Sequence, residues 1–134
     1  NNVTTTTNQP INISISRQPK TLIIEDTKLA AIALKGLLSK KNFESTLVET
    51  GNDALDILKK ENFDIIFLDL GLPDIDGMEL LPKIKNHQPS KNTVVIVLSG
   101  HINPELHKKC MTHGADAVFT KPFTIDHLNN LFSV

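Results

Sequence analysis

Five polar residues carry the chemistry this sequence can offer: Glu25, Asp26, Asp69, Ser99 and Lys121. Each stands just after a short apolar run. Three carboxylates brought together repel one another, which raises their pKa values unless a cation is present. A hard divalent cation relieves that repulsion, and Mg²⁺ characteristically takes one or two carboxylates together with waters and substrate phosphates. Lys121 would add an ammonium on a flexible stem, and Ser99 a hydroxyl donor. A metal, an ammonium and a hydroxyl around one carboxylate make a receptor for a phosphoryl group on that carboxylate. Asp69 is the acceptor candidate because it ends the central apolar run. Gly71 and Gly100 leave open space beside Asp69 and Ser99, and the stretch Gly71-Leu72-Pro73-Asp74-Ile75-Asp76-Gly77 has turn chemistry. Taken singly, each residue has a plainer reading: an acid pair at a helix start, a turn aspartate, a solvated Lys121-Pro122 loop. Their joint occurrence at the same end of successive apolar runs sets those readings aside.

The elements that must position them follow from the rhythm of the chain. The apolar runs are Leu22-Ile23-Ile24, Thr46-Leu47-Val48, Ile65-Ile66-Phe67-Leu68, Val94-Val95-Ile96-Val97-Leu98 and Ala117-Val118-Phe119. Such runs suit parallel strands buried on both faces. The segments between them read as helices. Leu29, Ile32, Ala33, Leu37 and Leu38 recur at helical spacing, with core packing as their expected role. Asn52 is placed to cap 53–60, residues 77–86 carry Met78, Leu80, Leu81 and Ile84, Asn103 precedes Pro104, and Thr124 precedes 125–132. Five strand-then-helix units imply an α/β fold with a parallel sheet and helices on both faces. Right-handed crossovers restrict its topology. In such a sheet every strand ends at one edge, where ligands bind near the reversal of strand order.

Composition narrows the function classes. The chain has 134 residues, 40% hydrophobic and 22% charged, with a formal net charge of −1; this fits one domain with a single core. No apolar run approaches the roughly 18–20 residues of a membrane span, and no basic, apolar leader marks a signal peptide. The near-neutral balance argues against nucleic-acid binding by this chain. A single cysteine, Cys110, excludes an internal disulfide and fits a reducing compartment. The expected location is the cytoplasm, without direct membrane contact by this chain. Residues 1–20 read as a linker or N-terminal tail: a Thr4–Thr7 run, then Ile11, Ile13 and Ile15 alternating with polar residues in the pattern of a short strand at 11–16. The tail holds Arg17 and Lys20 and no acid, so the net charge conceals a basic tail and a more acidic remainder.

The stretches LIIEDTKLA (22–30), DIIFLDLGLPDIDGMELL (64–81), VVIVLSG (94–100) and GADAVFTKPF (114–123) resemble the receiver domain of two-component response regulators. The resemblance covers about Thr21 to Phe132, and the domain is taken as 21–134. It implies a flavodoxin-like, doubly wound five-stranded parallel sheet of order 2-1-3-4-5 with five helices. It implies that Asp69 accepts a phosphoryl group from a phosphohistidine on a sensor histidine kinase. Asp26 and Asp69 are implied as ligands of Mg²⁺ (or Mn²⁺), with the backbone carbonyl of Gly71 as a third. Glu25 takes the other acidic position. Ser99 matches the switch hydroxyl, Lys121 the lysine that pairs with the phosphoryl group, and Pro122 the position of a cis peptide. His101, two residues after Ser99, falls where family members vary and influence dephosphorylation.

One position departs from the pattern. Many receivers carry Tyr or Phe three residues before the lysine, and here that residue is Val118. Phe119 should face the other side of the strand, so we expect output through phosphotransfer or a domain contact with a weak rotamer switch. A polar linker ahead of the receiver resembles the order in a bacterial hybrid sensor kinase, which could tether the domain at the inner membrane. Asp69 would there relay phosphate onward to a histidine phosphotransfer domain. The alternatives are the receiver of a truncated transcriptional regulator and a phosphorylation-independent pseudo-receiver, although pseudo-receivers usually lose the acids or the lysine. A phosphohydrolase of the haloacid-dehalogenase type needs a second Asp two residues after the nucleophile, where Gly71 stands. Flavin binding lacks a phosphate loop after the first strand. The remaining histidines, His87, His107, His113 and His127, have no metal-ligand spacing and read as surface residues. Such a domain assists its own phosphorylation and dephosphorylation without being a turnover enzyme.

Overall fold

A computed structural model describes residues 13–14, 18–87 and 93–133. The elements run β1 (Ile13–Ser14), β2 (Lys20–Ile24), α1 (Lys28–Ser39), β3 (Glu44–Val48), α2 (Gly51–Leu58), β4 (Ile65–Asp69), α3 (Gly77–His87), β5 (Val94–Ser99), α4 (Pro104–Thr112), β6 (Ala117–Thr120), α5 (Ile125–Leu131) and β7 (Phe132–Ser133). Strands β2 to β6 form one sheet in the order β3-β2-β4-β5-β6, every neighbouring pair parallel. Counted in chain order, these five strands lie 2-1-3-4-5, with five helices, as the resemblance implies.

The apolar runs are explained by two cores. Side chains alternate across a strand. Leu22, Ile24, Ile66, Leu68, Val95, Val97 and Val118 face one side with α2, α3 and α4. Ile23, Ile65, Phe67, Ile96, Leu98 and Phe119 face the other with α1 and α5. Both faces are covered, so β4 and β5 are apolar nearly throughout, whereas the edge strand β3, Glu44–Val48, is half polar and only partly buried. Val118 and Phe119 accordingly lie in different cores. Among the described residues no helix is long and apolar enough to cross a membrane.

Several local expectations are corrected. Thr50 rather than Asn52 caps α2, its hydroxyl accepting the Asp53 N–H at 3.0 Å. Helix α5 stops at Leu131, and Phe132 begins β7, which pairs in parallel with β1. Of the strand pattern at 11–16, Ile13–Ser14 is strand; the rest of that stretch and the Thr run lie outside the described residues. On α1 the core stripe is Ala31, Leu34 and Leu38, whereas Leu29 is 80% and Ile32 55% exposed. The stretch from Leu29 to Leu38 is apolar nearly all round, so its pattern left the rotation of the helix open and packing against the sheet chose it. Helix α1 ends in a turn through Asn42, at φ 64°, the left-handed region Asn tolerates better than most non-glycine residues. His127 is also no simple surface group: its ring stacks on Phe119 at 4.6 Å between centroids.

Candidate functional site

The carboxyl ends of β2, β4 and β6 deliver the charged groups to one place. Glu25 follows β2, Asp69 ends β4, and Lys121 follows β6. A carboxylate oxygen from each of Glu25, Asp26 and Asp69 lies within 4.8 Å of the other two. Glu25 and Asp69 are buried, at 5% and 6% exposure, while Asp26 is exposed. The Lys121 ammonium bridges the buried pair, 2.9 Å from Glu25 Oε1 and 3.0 Å from Asp69 Oδ1. Burial pushes the Glu25 carboxyl above its ordinary pKa, with the hydrogen bond from Lys121 opposing and the Asp69 charge adding to the rise. Burial works against the Lys121 ammonium, but its bonds to Glu25 and Asp69 outweigh that and hold its pKa above the ordinary value.

The backbone completes the site. Glu25 Oε2 accepts the Thr27 N–H at 3.1 Å, which fixes the carboxylate at the start of α1. Gly71 N–H donates to Asp69 Oδ1 at 3.2 Å. A Cβ at Gly71 would stand 3.8 Å from that oxygen, in ordinary contact, so the residue lies directly beside the Asp69 carboxylate. Lys121 N–H donates to the Ser99 carbonyl at 2.8 Å, tying the lysine loop to the end of β5. The Lys121–Pro122 bond is cis.

Three carboxylates against one ammonium leave an excess of negative charge and hard oxygen donors. That donor set fits Mg²⁺, which prefers carboxylate and carbonyl oxygens to nitrogen or sulfur. Glu25, Asp26, Asp69 and the Gly71 carbonyl are the groups that would hold it.

Not every expected residue is drawn to the carboxylates. Ser99 sits beside Asp69 in the sheet, since Asp69 pairs with Leu98. Its hydroxyl, however, donates to the His101 carbonyl at 3.0 Å. His101 is linked to Ser99 through its backbone, and its residue is exposed. Val118 is fully buried in the α2–α4 core. Sequence reasoning passed over Asp74, whose carboxylate accepts the Gly51 and Asn52 N–H groups at 2.8 and 2.9 Å. An aspartate after Pro73 reads as a turn residue, and partners at the start of a distant helix leave no local pattern. It also passed over His127 as a cap. Thr124 Oγ1 accepts the His127 N–H while His127 Nδ1 accepts the Thr124 N–H; the Thr-x-x-polar spacing was the available signal.

Known proteins resemble this arrangement throughout. Residues 21–133 match the response regulator receiver domain. The two-component response regulator ORR11 of Oryza sativa is 30% identical over 116 residues, covering 86% of this chain and 79% of that protein. The cell cycle transcriptional regulator CtrA of Caulobacter vibrioides is 31% identical over 109 residues, and the chain spans 46% of its length. Among solved structures, a CheY-like receiver domain from Methylobacillus flagellatus is 30% identical with a TM-score of 0.76, covering 84% of this chain and 93% of that one. The receiver domain of the Francisella response regulator 1452 is 32% identical with a TM-score of 0.74, covering 83% and 90%.

Proposed function

Because this chain belongs to the response regulator receiver domain family, we propose that Asp69 is a Mg²⁺-dependent phosphoacceptor. The observation that carries this is the convergence of Glu25, Asp26 and Asp69 within 4.8 Å, with Lys121 at 3.0 Å from Asp69. The donor is a phosphohistidine on a sensor histidine kinase. An Asp69 oxygen forms a bond to phosphorus as the P–N bond breaks, and the electron pair of that bond stays on the imidazole nitrogen. Bound Mg²⁺ supplies neutralisation of the phosphoryl oxygens in the transition state. The Lys121 ammonium, already placed on Asp69, follows the growing charge onto a phosphoryl oxygen. Ser99 gives up its bond to the His101 carbonyl and donates to another. Water attack on phosphorus later restores Asp69 and releases inorganic phosphate, with His101 beside its path as an influence on the rate. Val118 offers no aromatic rotor, so output goes through a further phosphotransfer, as to a histidine phosphotransfer domain, or a phosphorylation-dependent contact.

The phosphodonor docks over the first turns of α1. That helix starts directly after Glu25 and Asp26, and its outward Leu29 and Ile32 are large exposed hydrophobics. Treatment with acetyl phosphate and Mg²⁺, followed by intact-mass analysis, should add one phosphoryl group that Asp69→Asn cannot take. Full labelling of that variant would overturn the assignment. Leu29→Ala with Ile32→Ala should slow transfer from a phosphorylated kinase while leaving labelling by acetyl phosphate unchanged; equal slowing of both would refute the docking surface.

A further inference from the structure

The geometry points to Asp74 as a positioning residue for the cation at this site: its carboxylate straps the loop that presents the Gly71 carbonyl onto the start of α2. This rests on the reading that Glu25, Asp26, Asp69 and the Gly71 carbonyl hold Mg²⁺. The loop between β4 and α3 must place a backbone carbonyl, and a carbonyl is placed only as well as the chain around it. Its near end is held by the Gly71 N–H on Asp69 Oδ1 at 3.2 Å. Its far end is wedged beneath Leu70, because a Cβ at Gly77 would meet the Leu70 Cα at 2.9 Å. Between those points, Asp74 makes the polar connection to another element. Oδ1 accepts the Gly51 N–H at 2.8 Å and Oδ2 the Asn52 N–H at 2.9 Å.

Packing repeats the polar connection. Ile75 lies so close to Gly51 that a Cβ there would stand 3.0 Å from its Cδ1. The strap is thus a matched pair, an acid and an isoleucine on the loop against a glycine on α2. The Gly51 and Asn52 N–H groups hold the Asp74 carboxyl below its ordinary pKa. Helix α2 has its own cap as well, Thr50 serving Asp53 at 3.0 Å. Thr50 leaves the Gly51 and Asn52 N–H groups open, and Asp74 takes both, so its carboxylate closes the first turn of α2 and ties the loop to it at once. Groups that hydrogen-bond a ligand tune metal affinity by roughly 10- to 100-fold, and a strap that acts one step further out, through the loop backbone, belongs at the low end of that range.

The test is Mg²⁺ titration calorimetry on the full chain, with the Gly71 amide followed by NMR in metal-free and loaded states. Asp74→Ala should bind Mg²⁺ about 10-fold more weakly and shift the Gly71 amide before any metal is added. Asp74→Asn should fall between it and the native chain, because an amide offers one acceptor oxygen for two N–H groups. Thr50→Ala removes a bond from the same helix end without touching the strap; it should lower the melting temperature and leave Mg²⁺ affinity unchanged. Native affinity in Asp74→Ala, or equal weakening in Thr50→Ala, would overturn the strap. A native chain that takes no Mg²⁺, or Asp26→Asn binding as the native chain does, would overturn the reading of the site and the strap with it.

Discussion

The two edges of the central sheet hold the same residue types to opposite ends. At the edge where the parallel strands begin, Asp64 and Asp116 have found donors. Asp64 Oδ2 accepts the Lys20 N–H at 2.8 Å, and Asp116 Oδ2 accepts the Val95 N–H at 2.8 Å with the Lys85 ammonium at 3.3 Å. Thr93 donates to the Phe63 carbonyl at 2.9 Å. At the edge where the strands finish, three carboxylates gather and two of them share one ammonium. The direction of the strands explains the contrast. The strands begin on N–H groups that these acids accept, as at Lys20 and Val95, and end on C=O groups that the following chain already pairs, as at Val48 and Ser99. An acid at the start completes the hydrogen bonding, whereas Glu25, Asp26 and Asp69 at the end lie within one another's charge, which a cation would relieve. Stability and function are thus laid down with one chemistry at two ends of one sheet.

The largest expected effect sets one substitution against itself across the sheet. Asp26→Asn should weaken Mg²⁺ binding by at least about 10-fold, because one charge near a divalent ion is worth several kcal/mol even when screened. Asp64→Asn, which keeps an acceptor oxygen, should leave the calorimetric affinity unchanged. Similar losses in both would erase the contrast. Next comes Asp116→Ala, which strands the Val95 N–H and should cost about 1–2 kcal/mol in denaturant unfolding, again with Mg²⁺ affinity intact.

A smaller effect runs in the other direction. The Glu25 pKa is raised by burial, so the folded state binds a proton more readily than the unfolded one, and ionisation lowers stability as pH rises above 4.5. Glu25→Gln should therefore raise the melting temperature at neutral pH in metal-free buffer while weakening Mg²⁺ binding. A lower melting temperature would mean that the Lys121 pair outweighs burial. The smallest effect concerns the cap on α5. Burial lowers the His127 pKa, with neighbouring Asp126 opposing, so the unfolded chain takes up the proton first. Its contribution is complete above pH 6.5 and is lost as pH falls through the lower folded value, where Nδ1 can no longer accept the Thr124 N–H. His127→Gln keeps an acceptor at that position and should flatten the stability profile below pH 6.5.

The proposed phosphoacceptor site was legible because its residues follow strands that announce themselves. Asp69 after Ile65–Leu68 and Lys121 after Ala117–Thr120 needed only the parallel sheet to bring them together. Asp74 was not legible, since its partners Gly51 and Asn52 are 23 and 22 positions away at the start of α2. The outward face of α1 was misjudged for a different reason: Leu29 and Ile32 are as apolar as Leu34 and Leu38, and composition alone could not say which pair met the sheet.

The sequence by itself determined the strands, their two-sided burial and the acids at their ends, because these depend on local apolar runs and on what directly follows them. Tertiary structure alone decided which way α1 turned, which helix start Asp74 would grasp, and that Lys121 would stand between Glu25 and Asp69. Those outcomes depend on distances between elements far apart in the chain, and such distances exist only after the helices have packed onto the sheet.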